Sequence, residues 1–278
     1  MIDDCVSLHE PGTPWLTRPD EWWEQIRKYG LYHMTIGQLK PNYSMFKLSS
    51  DRITKRVSKE CAINYIKKMR NDLIKNIDTN MYIESSGHLY GVLDLLPLVF
   101  PKSKIIYIIR DPRTWVRSAL NTLEYILYGN IDLKMFKLSL KATEIKDDPY
   151  SNKWQRLSKF EKYCWYYNKV NSYVFNKMQK IGYDQFKIYR FEDLFYNKDK
   201  TNSFMDMLNQ MTDFDNNYNY EYKPNLMSNK VHSNKKKKSI PEWVNWDNNK
   251  AQILNQHCKR WMEKYNYGNE KEWNKKIS

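Results

Sequence analysis

The residues whose types and spacing best fit binding of an anion lie in the segment 105–121, IIYIIRDPRTWVRSALN. Arg110 follows an apolar run, and Ser118 comes eight residues later. A guanidinium group can hydrogen-bond two phosphate oxygens at once, and a serine hydroxyl on the same side can add a third bond. Arg113 and Arg117 place further positive charge nearby. The segment therefore predicts a phosphate site at Arg110 and Ser118, while a salt bridge at Arg110 is the alternative interpretation.

The elements that must position this site are a strand and the helix that follows it. The run before Arg110 is unbroken and rich in β-branched residues, which is typical of a parallel strand buried on both faces. Asp111 is a suitable N-cap and Pro112 fits the first helical position, so a helix is expected to begin directly. Because α/β proteins bind ligands at the carboxyl ends of their parallel strands, Arg110 is expected to point into such a crevice.

The rest of the chain alternates predicted helices with short predicted strands. The runs NMYIESS and FKIYRF predict strands, and the whole pattern predicts an α/β fold with a parallel sheet in one domain, residues 1–278. Apolar spacing of three and four residues predicts helices over 20–30, 55–77, 88–100, 154–181, 201–211 and 251–268, with a charged tail after the last. Apart from its one helix, the segment 1–50 is expected to be irregular, and 213–242 is expected to be a long polar surface segment.

The composition limits the class of protein and of partner. The chain has 46 Lys and Arg against 32 Asp and Glu, a net charge of +14 that favours nucleic acid, an anionic membrane or a small polyphosphorylated molecule. Abundant Lys, Asn, Ile and Tyr are equally typical of an AT-rich genome. No apolar run reaches the roughly 18 residues of a membrane-spanning helix, and the first residues do not form a secretory signal. Four widely spaced cysteines form neither a zinc pattern nor a disulfide framework, so a soluble cytoplasmic protein is predicted.

These segments resemble the sulfotransferase family. The stretch KIIYIIRDPRTWVRSALN is similar to that family's second cofactor-binding segment, in which an arginine and a serine eight residues later bind the 3′-phosphate of the donor 3′-phosphoadenylyl sulfate (PAPS). The resemblance implies that role for Arg110 and Ser118. Upstream, ESSGHLYGVLDLLPLVFPKSK resembles the stretch that leads into this strand, and His88 lies 22 residues before Arg110. That spacing implies the catalytic-base histidine of the family's cytosolic branch.

Two later segments extend the resemblance to about residues 80–265. FKIYRFEDLF is similar to the family's "L-x-Y-E-D-L" strand end, with Phe191 in place of tyrosine. SNKKKKSIPEWVNW resembles the basic loop and tryptophan that close over the donor, which implies that the 3′-phosphate is also bound by Lys235, Lys236, Lys237 and Lys238. The fold implied is the three-layer, parallel-sheet, P-loop-NTPase-like sulfotransferase fold.

One departure from the family concerns the phosphate loop. Family members open with a strand and a loop of the type "P-[KR]-[ST]-G-[TS]-[TS]", whose cation and backbone N–H groups hold the 5′-phosphosulfate. The nearest echo, HEPGTPW at 9–15, has Glu10 and Pro11 instead of a cation and no preceding apolar strand. The expectation is therefore a domain that lacks its first strand–loop–helix unit at the N-terminus.

Several candidate residues keep two interpretations. His88 is either the general base or a packing residue, and Glu84 is the rival base, because some sulfotransferase branches use a glutamate. Glu192 and Asp193 are expected to stabilise structure by pairing with cations. No His, Cys or Asp cluster has metal-ligand spacing, so no metal is expected.

The function predicted is transfer of a sulfuryl group from PAPS to a hydroxyl or amine of a small-molecule, carbohydrate or peptide acceptor. One alternative is an inactive nucleotide-binding remnant that lacks the phosphosulfate loop. The other is a basic nucleic-acid-binding protein. Two observations argue against it: the lysines are scattered along the sequence, and the sequence contains no recognisable nucleic-acid-binding motif. The sequence indicates neither the acceptor nor an oligomeric state.

Overall fold

The computed structural model describes residues 2–14, 19–75, 77–121, 140–179, 181, 184–212 and 240–278. Its four described strands are β1 (Cys5–His9), β2 (Met81–Ser85), β3 (Ile105–Ile109) and β4 (Phe186–Arg190). The helices are α1 (Pro19–Tyr29), α2 (Leu31–Met34), α3 (Met45–Ile53), α4 (Lys59–Ile74), α5 (Leu96–Val99), α6 (Pro112–Asn121), α7 (Lys159–Met178), α8 (Phe191–Phe195), α9 (Lys200–Thr212), α10 (Asn248–Lys264) and α11 (Lys271–Ile277).

The strands form two parallel pairs. β1 lies beside β2, from Cys5 opposite Met81 to His9 opposite Ser85. β3 lies beside β4, from Ile105 opposite Phe186 to Ile109 opposite Arg190. A mixed α/β architecture with parallel strands is thus confirmed, with the parallel pairing distributed over two small sheets.

The long helices begin at polar caps that are visible in the sequence. The hydroxyl of Ser58 accepts a hydrogen bond from the Cys61 N–H at the start of α4, and that of Ser158 accepts one from Glu161 N–H at the start of α7. Asp247 does the same for Lys250 at the start of α10. Each cap satisfies one of the N–H groups that a helix leaves unpaired at its first turn, which fixes the residue at which the helix begins.

The main hydrophobic core joins α6, α7 and α10. Val116 of α6, Cys164 of α7, and Leu254 and Trp261 of α10 are completely buried there. A second core surrounds Trp165 and Val174 on another face of α7. Phe160, Tyr163, Trp165 and Tyr167 of α7 are buried in these two cores, and α7 is thus the helix around which the other elements are arranged.

The N-terminal segment differs from the predicted irregular chain. Residues Cys5–His9 form the strand β1 and are not irregular, because β2 supplies a partner 76 residues further along. The chain then turns at Glu10 and Gly12, whose φ angles are 44° and 76°. Helix α1 begins at Pro19, so the described residues of this segment include a strand, a turn and a helix.

Other elements also differ from the prediction. The apolar run 88–100 forms only one 3-10 turn at Leu93–Leu95 and the four-residue helix α5. The predicted charged tail contains α11, which Trp273 anchors with an exposed fraction of 1%. Lys235–Lys238, and the part of the polar segment up to residue 239, lie outside the described residues. Among the helices that the structure describes, none combines the length and the apolar character needed to cross a membrane.

Candidate functional site

A cavity of about 1420 Å³ lies between the two strand pairs. Of the four described strands, β2 and β3 line it along their whole length, while the walls include Tyr166 of α7 and Met207 of α9. His88 follows β2 and Arg110 follows β3, and both line this cavity. Two residues singled out in the sequence, 22 positions apart, are thus brought to one site.

Arg110 is half-buried at the carboxyl end of β3. Its Nε donates a hydrogen bond of 2.9 Å to Thr114 Oγ1, and its guanidinium carbon lies 4.6 Å from the centre of the Phe191 ring. The hydroxyl of Tyr167 donates to its carbonyl oxygen at 2.5 Å. Across the ranges that the structure describes, no carboxylate forms an ion pair with this guanidinium. The two terminal nitrogens are therefore available for an anion, as a phosphate site requires.

Thr114, Ser118 and Asn121 share one face of α6 because they are four and three residues apart. Ser118 does not line the cavity; it lies one turn beyond Thr114, the residue that Arg110 contacts. At the end of this face, Asn121 exchanges two hydrogen bonds of 3.1 Å with the backbone of Ile240. This face of α6 thus connects Thr114, which contacts Arg110, with Ile240, which follows Lys238 by two residues.

The turn between β3 and α6 is held by buried charges. Arg113 has a side chain only 2% exposed and pairs with Asp111 at 2.6 Å and with Glu270 at 2.8 Å. Its guanidinium carbon also lies 4.3 Å from the ring centre of Trp243 and 5.1 Å from that of Trp273. Because these partners saturate it, Arg113 fixes the turn and does not add a free cation to the site.

Glu192, in the helix α8 that follows β4, also stabilises the turn between β3 and α6. One carboxylate oxygen accepts a hydrogen bond from the Asp111 N–H at 3.1 Å, and the other accepts one from the Tyr267 hydroxyl at 2.6 Å. Glu192 is therefore structural, but its partners here are an N–H group and a hydroxyl, whereas the sequence-based expectation is a pair with a cation. Asp193 Oδ2 lies 3.8 Å from Nε of Arg190, which is three residues earlier in the chain.

His88 lies in the turn after β2, against the cavity. Its Nδ1 is 3.8 Å from Glu10 Oε1 and makes no hydrogen bond in the described part of the chain, while its ring packs on Phe46 at 4.8 Å. The hydroxyl of Ser49 donates to its carbonyl oxygen. Burial lowers the pKa of His88, and the Glu10 carboxylate opposes that effect. Burial thus favours the neutral form of the imidazole, which is the form that accepts a proton.

Glu84, the rival base, also lines the cavity but is fully engaged. Arg70 donates two hydrogen bonds of 2.7 Å to its two oxygens, and the Tyr82 hydroxyl donates a third at 2.9 Å. Both Arg70 and Glu84 are nearly buried. Because these donors occupy both oxygens of Glu84, the geometry favours His88 over Glu84 as the base.

Two contacts at this site involve residues outside those that the sequence predicts for it. Glu10, which in the sequence only marks a carboxylate where the resembled family has a cation, lies beside His88. Thr114 contacts Arg110, and its position four residues after Arg110 is a signal for that contact. Among the described residues, no group of three His, Cys, Asp or Glu side chains could hold a metal ion.

Comparison with known proteins finds no match to this chain among protein-family models, curated proteins or solved structures.

Proposed function

We propose that this protein is a sulfotransferase-like protein that binds PAPS and transfers its sulfuryl group to a hydroxyl or amine. The single observation that supports this most strongly is Arg110: an arginine without a carboxylate partner in the described chain, at the carboxyl end of a parallel strand, in the wall of a large cavity. The proposal includes the finer architecture, a three-layer P-loop-NTPase-like sulfotransferase fold.

On this proposal, Arg110 and Ser118 bind the 3′-phosphate of the donor together with the segment Lys235–Lys238. The docking of Ile240 on Asn121 supports the last part, because it brings the chain back to the Ser118 face of α6 directly after the four lysines. Arg117 adds to this docking through its 3.3 Å ion pair with Glu242.

The chemistry assigned to His88 is that of a general base. The acceptor oxygen or nitrogen forms a bond to sulfur as the bond from sulfur to the 5′-phosphate oxygen breaks, and the nucleotide departs with that electron pair. The proton of the acceptor passes to Nε2 of His88, since Nδ1 faces Glu10. Alignment of the reactants and neutralisation of charge supply most of the rate acceleration in group transfer of this kind.

A second candidate function is an inactive nucleotide-binding remnant. It is favoured by Glu10, which places a carboxylate, not a cation, in the loop after β1 at the edge of the cavity. A negative charge there would repel a phosphosulfate group. A third reading, nucleic-acid binding, has no comparable observation in its favour.

Calorimetry with 3′-phosphoadenosine 5′-phosphate tests the nucleotide site. Loss of two charged hydrogen bonds should weaken binding by about 3 kcal/mol, which is about a hundredfold, in Arg110→Ala. Arg260→Ala is the matched control, because Arg260 is exposed on α10 and does not line the cavity. Equal affinity of Arg110→Ala and the unsubstituted protein would refute the assignment.

A radiolabelled sulfate-transfer assay then separates the enzyme from the remnant. Nucleotide binding without transfer to any hydroxyl or amine acceptor supports the remnant. Oligonucleotide binding with a steep salt dependence, in preference to heparin, would favour the nucleic-acid reading.

A further inference from the structure

The edges of β2 and β3 that face each other are both unpaired within the described chain. β2 is hydrogen-bonded to β1 alone and β3 to β4 alone, and each strand presents its other edge to the cavity. An unpaired strand edge is a row of free N–H and C=O groups that can bind another strand. Here two such rows line one space.

The composition of β3 is that of an inner strand. Its sequence, IIYII, is apolar on both faces, as expected for a strand with neighbours on both sides in a covered parallel sheet. Among the described strands it has one neighbour, β4, and Ile108 is 43% exposed. A two-stranded sheet is marginal by itself, so within the described residues this apolar strand lacks the second neighbour that its sequence indicates.

The space beside β3 has apolar walls from different elements. Tyr166 and Val170 of α7 and Met207 and Met211 of α9 line it together with the two strands. The link from β2 to β3, residues 86–104, contains helical turns, as in the crossovers that join parallel strands. A peptide that entered between the strands would find hydrogen-bonding edges on two sides and apolar side chains around it.

We propose that this cavity binds one further β-strand, a partner segment that is extended, apolar, rich in β-branched residues and parallel to β2 and β3. Five residues, about 17 Å, would match the length of both flanking strands. The added strand would join the two pairs into one continuous five-stranded sheet. Because it runs parallel, its carboxyl end would lie between His88 and Arg110. This inference does not rest on the proposed transferase function, although both proposals use the same cavity and meet at His88 and Arg110.

A tethered strand provides the test. Asp3 and Asp4 line the same cavity, so a segment joined upstream of the full chain can reach it. The probe is the segment Lys-Val-Ile-Val-Val-Gly followed by a linker of 12 Gly and Ser residues, whose root-mean-square span of about 19 Å allows return from the carboxyl end. Tethering raises the effective concentration to about the millimolar range, so weak pairing is detectable.

The matched control is the same fusion with two of the central residues of the probe replaced by proline, which cannot donate to a strand ladder. The expected result is a Tm about 5 °C higher for the strand fusion than for the proline fusion. Backbone amides in both Met81–Ser85 and Ile105–Ile109 should also exchange with solvent about tenfold more slowly in the strand fusion.

Three results would overturn the proposal. Equal Tm and equal exchange in the two fusions would show that the cavity does not pair with a strand. An equal rise in Tm of both fusions over the unfused protein would show that the cavity binds apolar side chains without pairing with a strand. Protection of both strands in the unfused protein, increasing with its concentration together with dimer formation, would identify a second copy as the occupant instead of a separate partner.

Discussion

The imidazole of His88 and the carboxylate of Glu10 face each other, with Nδ1 3.8 Å from Oε1. They come from the turns that follow two paired strands, β2 and β1. Glu10 is held in this position because Oε1 also accepts the Gly87 N–H at 3.2 Å. Its φ angle of 44° is unusual for a residue with a side chain, so the turn directs the carboxylate toward His88 at some cost in backbone energy.

Removal of the Glu10 charge should lower the pKa of His88. Burial lowers this pKa and the carboxylate raises it, so Glu10→Gln leaves burial with less opposition. The measurement is an NMR titration of the His88 ring nitrogens. Glu263→Gln, which removes an exposed carboxylate of α10, should leave the titration unchanged. An unchanged or higher pKa in Glu10→Gln would contradict the pairing.

Acid should destabilise the protein through its buried histidines. Burial lowers the pKa of both His88 and His257, so below about pH 6.5 the unfolded chain binds more protons than the folded one. The free energy of unfolding should therefore fall as the pH falls from about 6.5 through the lowered pKa values. Urea titrations at a series of pH values measure this directly.

His257→Leu should reduce that acid sensitivity. Neither ring nitrogen of His257 makes a hydrogen bond in the described part of the protein, although Nε2 lies 3.5 Å from Glu161 Oε1. The substitution removes a group that must be protonated on unfolding in acid. If the pH dependence of unfolding were as steep in this variant as in the parent, His257 would not contribute to it.

Two glycines should respond differently to the same added methyl group. A Cβ at Gly91 would lie 2.3 Å from the backbone oxygen of Ser49, so Gly91→Ala should cost about 3 kcal/mol through overpacking. Gly30 has open space around it but a φ of 86°, so Gly30→Ala should cost about 1 kcal/mol through backbone strain. Urea unfolding measures both. The reverse order would show that α3 moves easily away from the Gly91 turn.

Substitution of Arg113 should lower the free energy of unfolding strongly. Arg113→Met leaves the buried Asp111 without its cation, and removal of one partner of a buried pair costs about 3–5 kcal/mol. Lys259→Ala removes the partner of an exposed pair with Glu263 and should cost less than about 1 kcal/mol. A similar loss of unfolding free energy in the two variants would mean that the contacts of Arg113 contribute little to stability.

The strand–turn–helix unit around Arg110 could be predicted because its signals are local. The apolar run, Asp111 and Pro112 specify β3 and the start of α6 from adjacent residues alone. β1 could not be predicted in the same way: its five residues are only partly apolar, and its partner β2 is 76 residues away. The pairing of Glu10 with His88 depends on that same long-range contact, and so no local pattern reveals it.

The predicted helix over 88–100 was wrong for a reason that the sequence conceals. Its apolar residues fit a helix, but the structure keeps only short turns there. Gly91 must approach the backbone of Ser49 closely, and the hydroxyl of Ser49 binds the His88 carbonyl. This tertiary contact overrides the helical preference of the segment, and it places His88 beside the cavity.

The contacts of Arg113 with Glu270 and Trp273 can form only late in the synthesis of the chain. Glu270 and Trp273, which complete the turn beside Arg110, follow it by more than 150 residues. On the ribosome, where the N-terminal part of a chain emerges first, β3 and α6 must wait for the last helix before this turn can close. A nascent chain stopped before Glu270 would keep the pair of Asp111 with Arg113 but would lack the Glu270 carboxylate on the other side of that guanidinium, so the turn beside the anion site would stay incomplete until Glu270 has been made.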